Sequence, residues 1–221
     1  MKQHWPKLLH ILIVIALPLA LFAATLRIVT GHWLVNWEYG KASFPPDTYG
    51  FSTEERIRLA EVSVDYLITD AGIELLADLE TEGGAAFNAR ELEHMVDVKR
   101  VLWILLRVGA AAGLVVVAGT AVLGSRPATR ARAPVALMGG SFILLGLLAA
   151  IGGLMLASWN VFFVQFHELF FPPGTWTFAY SDTLIRLFPV RFWMDVAAVI
   201  VGVLVAQAAA IGGAAFVWWR R

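Results

Sequence analysis

The sequence predicts an all-α membrane protein, with four transmembrane helices and a mainly helical cap outside the cytoplasm. Of its 221 residues 59% are hydrophobic and 15% charged, and mean hydropathy is +0.71; soluble domains are only roughly 45–50% apolar. Four stretches, residues 8–28, 101–123, 134–157 and 193–219, each supply the run of about 20 mostly apolar residues needed to cross about 30 Å of hydrocarbon. The basic residues near their ends fall on one side of the membrane, which sets the orientation.

The first stretch follows Lys2 and Lys7 and contains the small residues Ala23 and Ala24, which also suits a cleaved signal peptide. Its apolar run exceeds the usual 7–15 residues of a signal core, and three more spans follow, so a retained helix is expected. Lys and Arg concentrate in short cytoplasmic flanks. Arg126, Arg130 and Arg132 lie between the second and third spans, and four crossings put Lys2, Lys7, Arg220 and Arg221 on that same side. Both termini are therefore expected in the cytoplasm. Segments 30–100 and 158–192 then lie outside and together form the cap of a single membrane domain.

A net charge of zero leaves no basic footprint for nucleic acid, and the lack of Cys removes disulfides and thiolate chemistry. Any chemistry must use oxygen and nitrogen side chains. Ser52 with Glu55, and Asn88 with Glu91, match the capping-box pattern. The first starts a helix from Glu54 to Tyr66. The second starts a helix that runs unbroken into the second span, so His94 sits on a rigid helix just before the apolar residues, with Arg90 and Asp97 on the same side.

The segment after the third span is rich in aromatic residues, which mark the headgroup level of membranes. Phe163, His167 and Phe170 recur at helical spacing, and Pro172, Pro173 and Gly174 end the helix they define. His167 is thus expected in an aromatic wall at the depth of His94. Two imidazoles at one level are natural proton carriers near neutral pH; hydrogen bonding at the interface is the plainer alternative. His32 also lies near the outer face, which leaves a three-histidine metal site open, although no H-E-x-x-H spacing exists and His167-Glu168 lacks a second ligand.

No nucleophile elbow, phosphate-binding glycine loop or S-x-x-K pairing is present, and Ser141 reads as a packing residue. Gly109 with Gly113, and the stripe Ala206, Ala210 and Ala214, suit close helix packing. Arg27, Arg107 and Asp195 fall within the outer halves of spans, with Arg107 and Asp195 expected to form a structural ion pair.

The run from Phe87 through His94, Val98 and Lys99 resembles the His-x-x-x-Val-Lys region of the lipoprotein intramolecular transacylase family. So does Phe166-His167-Glu168-Leu169-Phe170-Phe171, followed by Trp176 and by the stretch Thr183 to Pro189. Length, four spans and the order of the cap segments agree as well. The resemblance implies a four-helix enzyme of the bacterial plasma membrane whose catalytic histidines are His94 and His167. It implies transfer of the sn-2 acyl chain of a diacylglyceryl lipoprotein to the amino group of that lipoprotein's N-terminal cysteine, giving the lyso form.

No cofactor or metal is implied; membrane lipid and diacylated lipoprotein are the expected partners. Arg90, Asp97, Lys99, Phe163, Phe170, Trp176, Asp182 and Arg186 are the expected substrate-pocket residues. One departure stands out. An Asn-Asp pair before the Trp and an Asp-Pro after it are expected in the family, whereas this chain has Pro173-Gly174-Thr175 and Ala179-Tyr180-Ser181-Asp182. A sister family with another acyl substrate fits that difference. A non-enzymatic receptor or assembly factor, binding a partner through its cap, is the competing class.

Overall fold

The structure, a computed structural model, describes residues 4–221; Lys2, used above for orientation, lies outside the described residues. The elements run α1 (Trp5–Val29), α2 (His32–Tyr39), α3 (Thr53–Ile68), α4 (Glu74–Ala77), β1 (Glu80–Thr81), β2 (Gly84–Ala85), α5 (Ala89–Gly124), α6 (Arg132–Ala157), α7 (Trp159–Phe170), α8 (Thr183–Leu187) and α9 (Val190–Trp219). α1, α5, α6 and α9 are long and apolar enough to cross a membrane, and each contains one of the apolar stretches read from the sequence. Residues 80–85 add a two-stranded antiparallel turn, Glu80 opposite Ala85, to the helical chain.

Contacts divide the chain into two compact units. The first consists of the chain up to Arg27, Ile104–Trp159 and Ile200–Arg221. Its interior is thin: only 17% of the most apolar window of α5, and 33% of that of α1, is buried. Leu114, Val117, Phe142 and Leu156 point outward, as expected where lipid is the solvent and every backbone group is satisfied within its own helix. Close approach replaces bulk as the packing device. A Cβ on Gly109 would lie 1.9 Å from the Ala23 Cβ, and one on Gly140 would lie 2.9 Å from the Leu17 Cβ. Thr25 donates to Gln207 Oε1 at 3.2 Å, joining α1 to α9 through a polar contact.

The alanine stripe on α9 departs from expectation. Ala206, Ala210 and Ala214 are exposed, whereas Leu204, Ala208 and Ala215 are buried. Leu204 and Ala208 pack with Leu144. A small residue every fourth position recurs on more than one face of so apolar a helix, and the pattern alone does not say which face meets a neighbour. Ser141 is buried 3.3 Å from the Cβ position of Gly212, the packing role expected for it.

The second unit comprises Ile28–Trp103 and Asn160–Val199, and it holds both candidate histidines. Its core joins α3, α4, α5 and α8 through Leu59, Tyr66, Leu76, Phe87, Met95, Leu184 and Leu187. Polar contacts complete it. Ser52 Oγ accepts the Glu55 N–H at 3.1 Å and starts α3. Arg56, almost fully buried, spends its guanidinium on the carbonyls of Arg186 and Pro45. The Tyr39 hydroxyl donates to the Leu187 carbonyl at 2.7 Å.

Candidate active site

α5 begins at a reciprocal cap. Asn88 Oδ1 accepts the N–H groups of Arg90 and Glu91, each at 3.1 Å, while Glu91 Oε2 accepts the Asn88 N–H at 2.8 Å. The other Glu91 oxygen accepts the Leu184 N–H at 2.7 Å. One buried carboxylate therefore ties the first turn of α5 to the first turn of α8 and satisfies two otherwise orphaned donors. Burial raises the Glu91 pKa, although both backbone N–H bonds oppose the shift. Thr183 Oγ1 donates to the Ala86 carbonyl beside it. His94, one turn beyond Glu91 and before the apolar stretch that starts at Val101, is held by this clasp.

α7 supplies the second imidazole. His167 Nδ1 lies 2.7 Å from the Phe163 carbonyl. A carbonyl only accepts, so Nδ1 carries the proton and Nε2 presents a lone pair. The Phe163 ring lies tilted against the imidazole at 4.1 Å between centres, and the Trp176 ring at 4.8 Å. α7 ends at Phe170, and Gly174, at φ +85°, turns the chain so that Trp176 returns to the helix it has left. Thr175 is held there by N–H and hydroxyl bonds to the Pro172 carbonyl.

The two imidazoles share one aromatic enclosure, with ring centres 6.3 Å apart and planes 23° from parallel. Phe171 meets both, edge-on to His94 at 4.9 Å and tilted against His167 at 5.7 Å. Phe178 closes on His94 at 5.4 Å. His94 Nδ1 and Trp176 Nε1 are both buried and lack a hydrogen-bond partner.

Burial drives the His94 pKa down to about 4, with the neighbouring His167 adding to the effect and Asp97 opposing it. Burial also lowers the His167 pKa, against the raising influence of the Phe163 carbonyl. Both rings are accordingly neutral at pH 7.

The other expected pocket residues distribute unevenly. Phe163 and Trp176 pack against His167, and Asp97 reaches His94 electrostatically while pairing with Arg100 at 2.9 Å. Arg90 lies over the Phe178 ring and 3.6 Å from Asp182. Asp182 accepts from Ala179 N–H and Asn88 Nδ2, holding the end of the loop that carries Trp176. Phe170 stands one ring back, against Phe166 and Phe171.

Lys99 and Arg186 serve elsewhere. Lys99 donates to the Ala71 carbonyl at 2.6 Å and lies over Tyr66. Arg186 forms a buried two-point pair with Asp47 and covers Phe51 at 3.3 Å. With Arg56, Tyr49 and Tyr180 it lines a separate cavity of about 240 Å³.

Phe171 and Phe178 are the contacts sequence spacing did not single out. Phe171 lies in the family-like stretch Phe166 to Phe171 and follows His167 by four positions, one helical turn. His32 is bound to Asp65 at 2.8 Å and faces Glu61 at 3.9 Å; among the described residues no group of three or more His, Cys, Asp or Glu side chains is arranged to hold a metal ion. The Asp195 carboxylate meets Lys41 at 2.9 Å and Arg191 at 3.0 Å, partners that hydropathy and spacing did not suggest.

Comparison with known proteins supplies the family. The model of the lipoprotein intramolecular transacylase Lit family matches residues 11–193. This chain belongs to the lipoprotein intramolecular transacylase family. An uncharacterised protein of Aquifex aeolicus is 34% identical over 190 residues, covering 86% of this chain and 84% of its own length.

The fold recurs in the membrane-integral lipoprotein intramolecular transacylase of Bacillus cereus, at a TM-score of 0.80 and 24% identity, covering 98% of this chain and 95% of that one. A form of the Bacillus protein with one histidine replaced by arginine aligns at a TM-score of 0.75 and 22% identity, over 98% and 91% of the two chains. Membership of the transacylase family and four apolar helices make this chain a multi-pass membrane protein.

Proposed function

We propose that the chain is an intramolecular O-to-N transacylase acting on bacterial lipoproteins in the plasma membrane. It would move the sn-2 acyl chain of a diacylglyceryl-modified lipoprotein to the α-amino group of the same molecule's N-terminal cysteine. The observation that carries this reading is the pair of neutral imidazoles in one aromatic enclosure, the His167 Nδ1–H committed to the Phe163 carbonyl and Nε2 left as a base. Spans over residues 8–28, 101–123, 134–157 and 193–219, both termini in the cytoplasm, and segments 30–100 and 158–192 outside complete the proposal.

In the proposed reaction the neutral amine attacks the ester carbonyl, forming the C–N bond as the carbonyl oxygen takes up negative charge. His167 Nε2 removes the proton of the attacking nitrogen. Collapse breaks the bond from acyl carbon to glyceryl oxygen, and the same proton passes from His167 to that oxygen. Ester and amine become amide and alcohol with every proton accounted for.

His94 is neutral at pH 7 because its pKa is near 4, so its part is a hydrogen bond to the glyceryl oxygen as charge grows there, a role open to neutral imidazole. His167, with its own pKa lowered, is a free base at pH 7 and, once protonated, releases its proton readily to an alkoxide. Nucleophile and ester lie in one molecule, so an enclosure that folds it back on itself contributes through proximity.

Mass spectrometry of one lipoprotein's N-terminal peptide tests the reading, in a host lacking any such activity of its own, with and without this chain. Conversion of the diacyl form to the lyso form on expression is expected. Untouched diacyl lipoprotein in membranes that contain the chain would exclude it.

A further inference from the structure

The Trp176 indole nitrogen is fully shielded from solvent and has no hydrogen-bond partner. Indole is a donor only, and an unmade bond at such a depth works against stability. The ring cannot turn freely to find a partner. It lies 4.8 Å from the His167 ring at 33°, and its loop is fixed on one side by Thr175 against the Pro172 carbonyl and on the other by the Asp182 carboxylate on the Ala179 N–H. A donor held unsatisfied against the His167 imidazole, inside the enclosure that ring shares with His94, fits a ligand that brings the acceptor.

Resting on the acyl-transfer reading above, we infer that the Trp176 N–H donates a hydrogen bond to the acyl carbonyl oxygen of the substrate ester, stabilising the oxyanion formed when the amine attacks. The proton balance of the reaction selects that oxygen. The attacking nitrogen loses a proton and the glyceryl oxygen gains one, so both need groups that exchange protons, and imidazole does so. The acyl oxygen begins and ends as a carbonyl, gaining charge in between but never a proton. It is matched by a donor that does not titrate. Indole meets that requirement, and a donor already fixed by ring packing needs no rearrangement when the charge appears.

Trp176→Phe tests the inference, since it keeps a flat ring against His167 while removing the donor together with a small part of the ring surface. With a synthetic diacylglyceryl lipopeptide bearing a free amine, kcat is expected to fall about 10²–10³-fold. KM and the melting temperature should stay close to wild type.

A second measurement reads the bond itself. The indole ¹H–¹⁵N resonance of wild-type chain that vanishes in Trp176→Phe, or in Trp176→Tyr, should shift downfield when an amine-blocked lipopeptide with an sn-2 ester binds, and should not do so with the sn-2 ether, which has no carbonyl. Unchanged kcat in Trp176→Phe, or the same shift with ester and ether, would overturn the inference while wild-type turnover leaves the acyl-transfer reading standing. Wild-type chain that leaves the free-amine lipopeptide unconverted overturns both.

Discussion

His167 has one ring nitrogen committed to the Phe163 carbonyl, which opposes the fall that burial imposes on its pKa, whereas His94 has no such backbone acceptor and is lowered by burial and by His167. His94 is the more deeply depressed, at about 4. Its protonation then occurs more readily in the unfolded chain, whose imidazole titrates near 6.5. Stability is therefore full above that value, and falls as the pH drops from 6.5 toward 4, by about 3 kcal/mol at most. Thermal melts of detergent-solubilised chain should show this decline, and His94→Phe should lessen it, leaving the smaller share due to His167.

Catalysis has its own dependence at this scale. The α-amino group of the substrate titrates near 8, and His167 below 6.5, so kcat/KM should rise with pH up to about 8 with its enzyme-derived break lying below 6.5. A break at or above 6.5 that disappears in His167→Ala would contradict the assignment. The capping box and the helix it starts made His94 legible in the sequence, and helical spacing within an aromatic segment did so for His167. Phe171 and Phe178 were not, because edge-on contacts with His94 depend on how the end of α7 and the segment after Gly174 meet α5, a long-range matter that local pattern does not encode.

At the scale of elements, the start of α5 is the part on which His94 depends. Asn88 and Glu91 were readable as a capping box, since both partners lie within one turn. The second bond of Glu91, to Leu184, was hidden because the two residues lie in separate cap segments. Glu91→Ala removes the acceptor of two N–H groups at a buried position and should cost on the order of 2–4 kcal/mol, seen as a lower melting temperature and a fall in acyl transfer. Gly174→Ala, at φ +85°, should cost about 1 kcal/mol and weaken turnover through the placement of Trp176. An unchanged melting temperature in both variants would mean that neither the Glu91 clasp nor the Gly174 turn holds the two rings in place. The sequence also put the small face of α9 in the wrong phase, because apolar residues surround that helix and period alone gives no preferred side.

For the whole molecule, hydropathy was sufficient to read the four long helices, since lipid demands about 20 apolar residues per crossing whatever the tertiary contacts. How closely those helices approach was legible only as a motif. Gly109 sits so near Ala23 that even a methyl group must displace a helix. Gly109→Leu should therefore lower the melting temperature more than Gly146→Leu, whose Cβ position meets nothing within 4 Å; equal effects would show that helix contact at Gly109 is not limiting.

The two imidazoles of the enclosure are proposed to act together on a single acyl transfer. Single-turnover rates with a lipopeptide labelled in its sn-2 chain test it most directly, comparing wild type with His94→Ala, His167→Ala and the double variant at equal amounts of folded protein. Each single substitution is predicted to slow transfer by about 10²–10⁴-fold, and the double variant by little more than the slower single, as expected of groups that work as a unit. Transfer by folded His94→Ala or His167→Ala at a rate within tenfold of wild type would contradict the account.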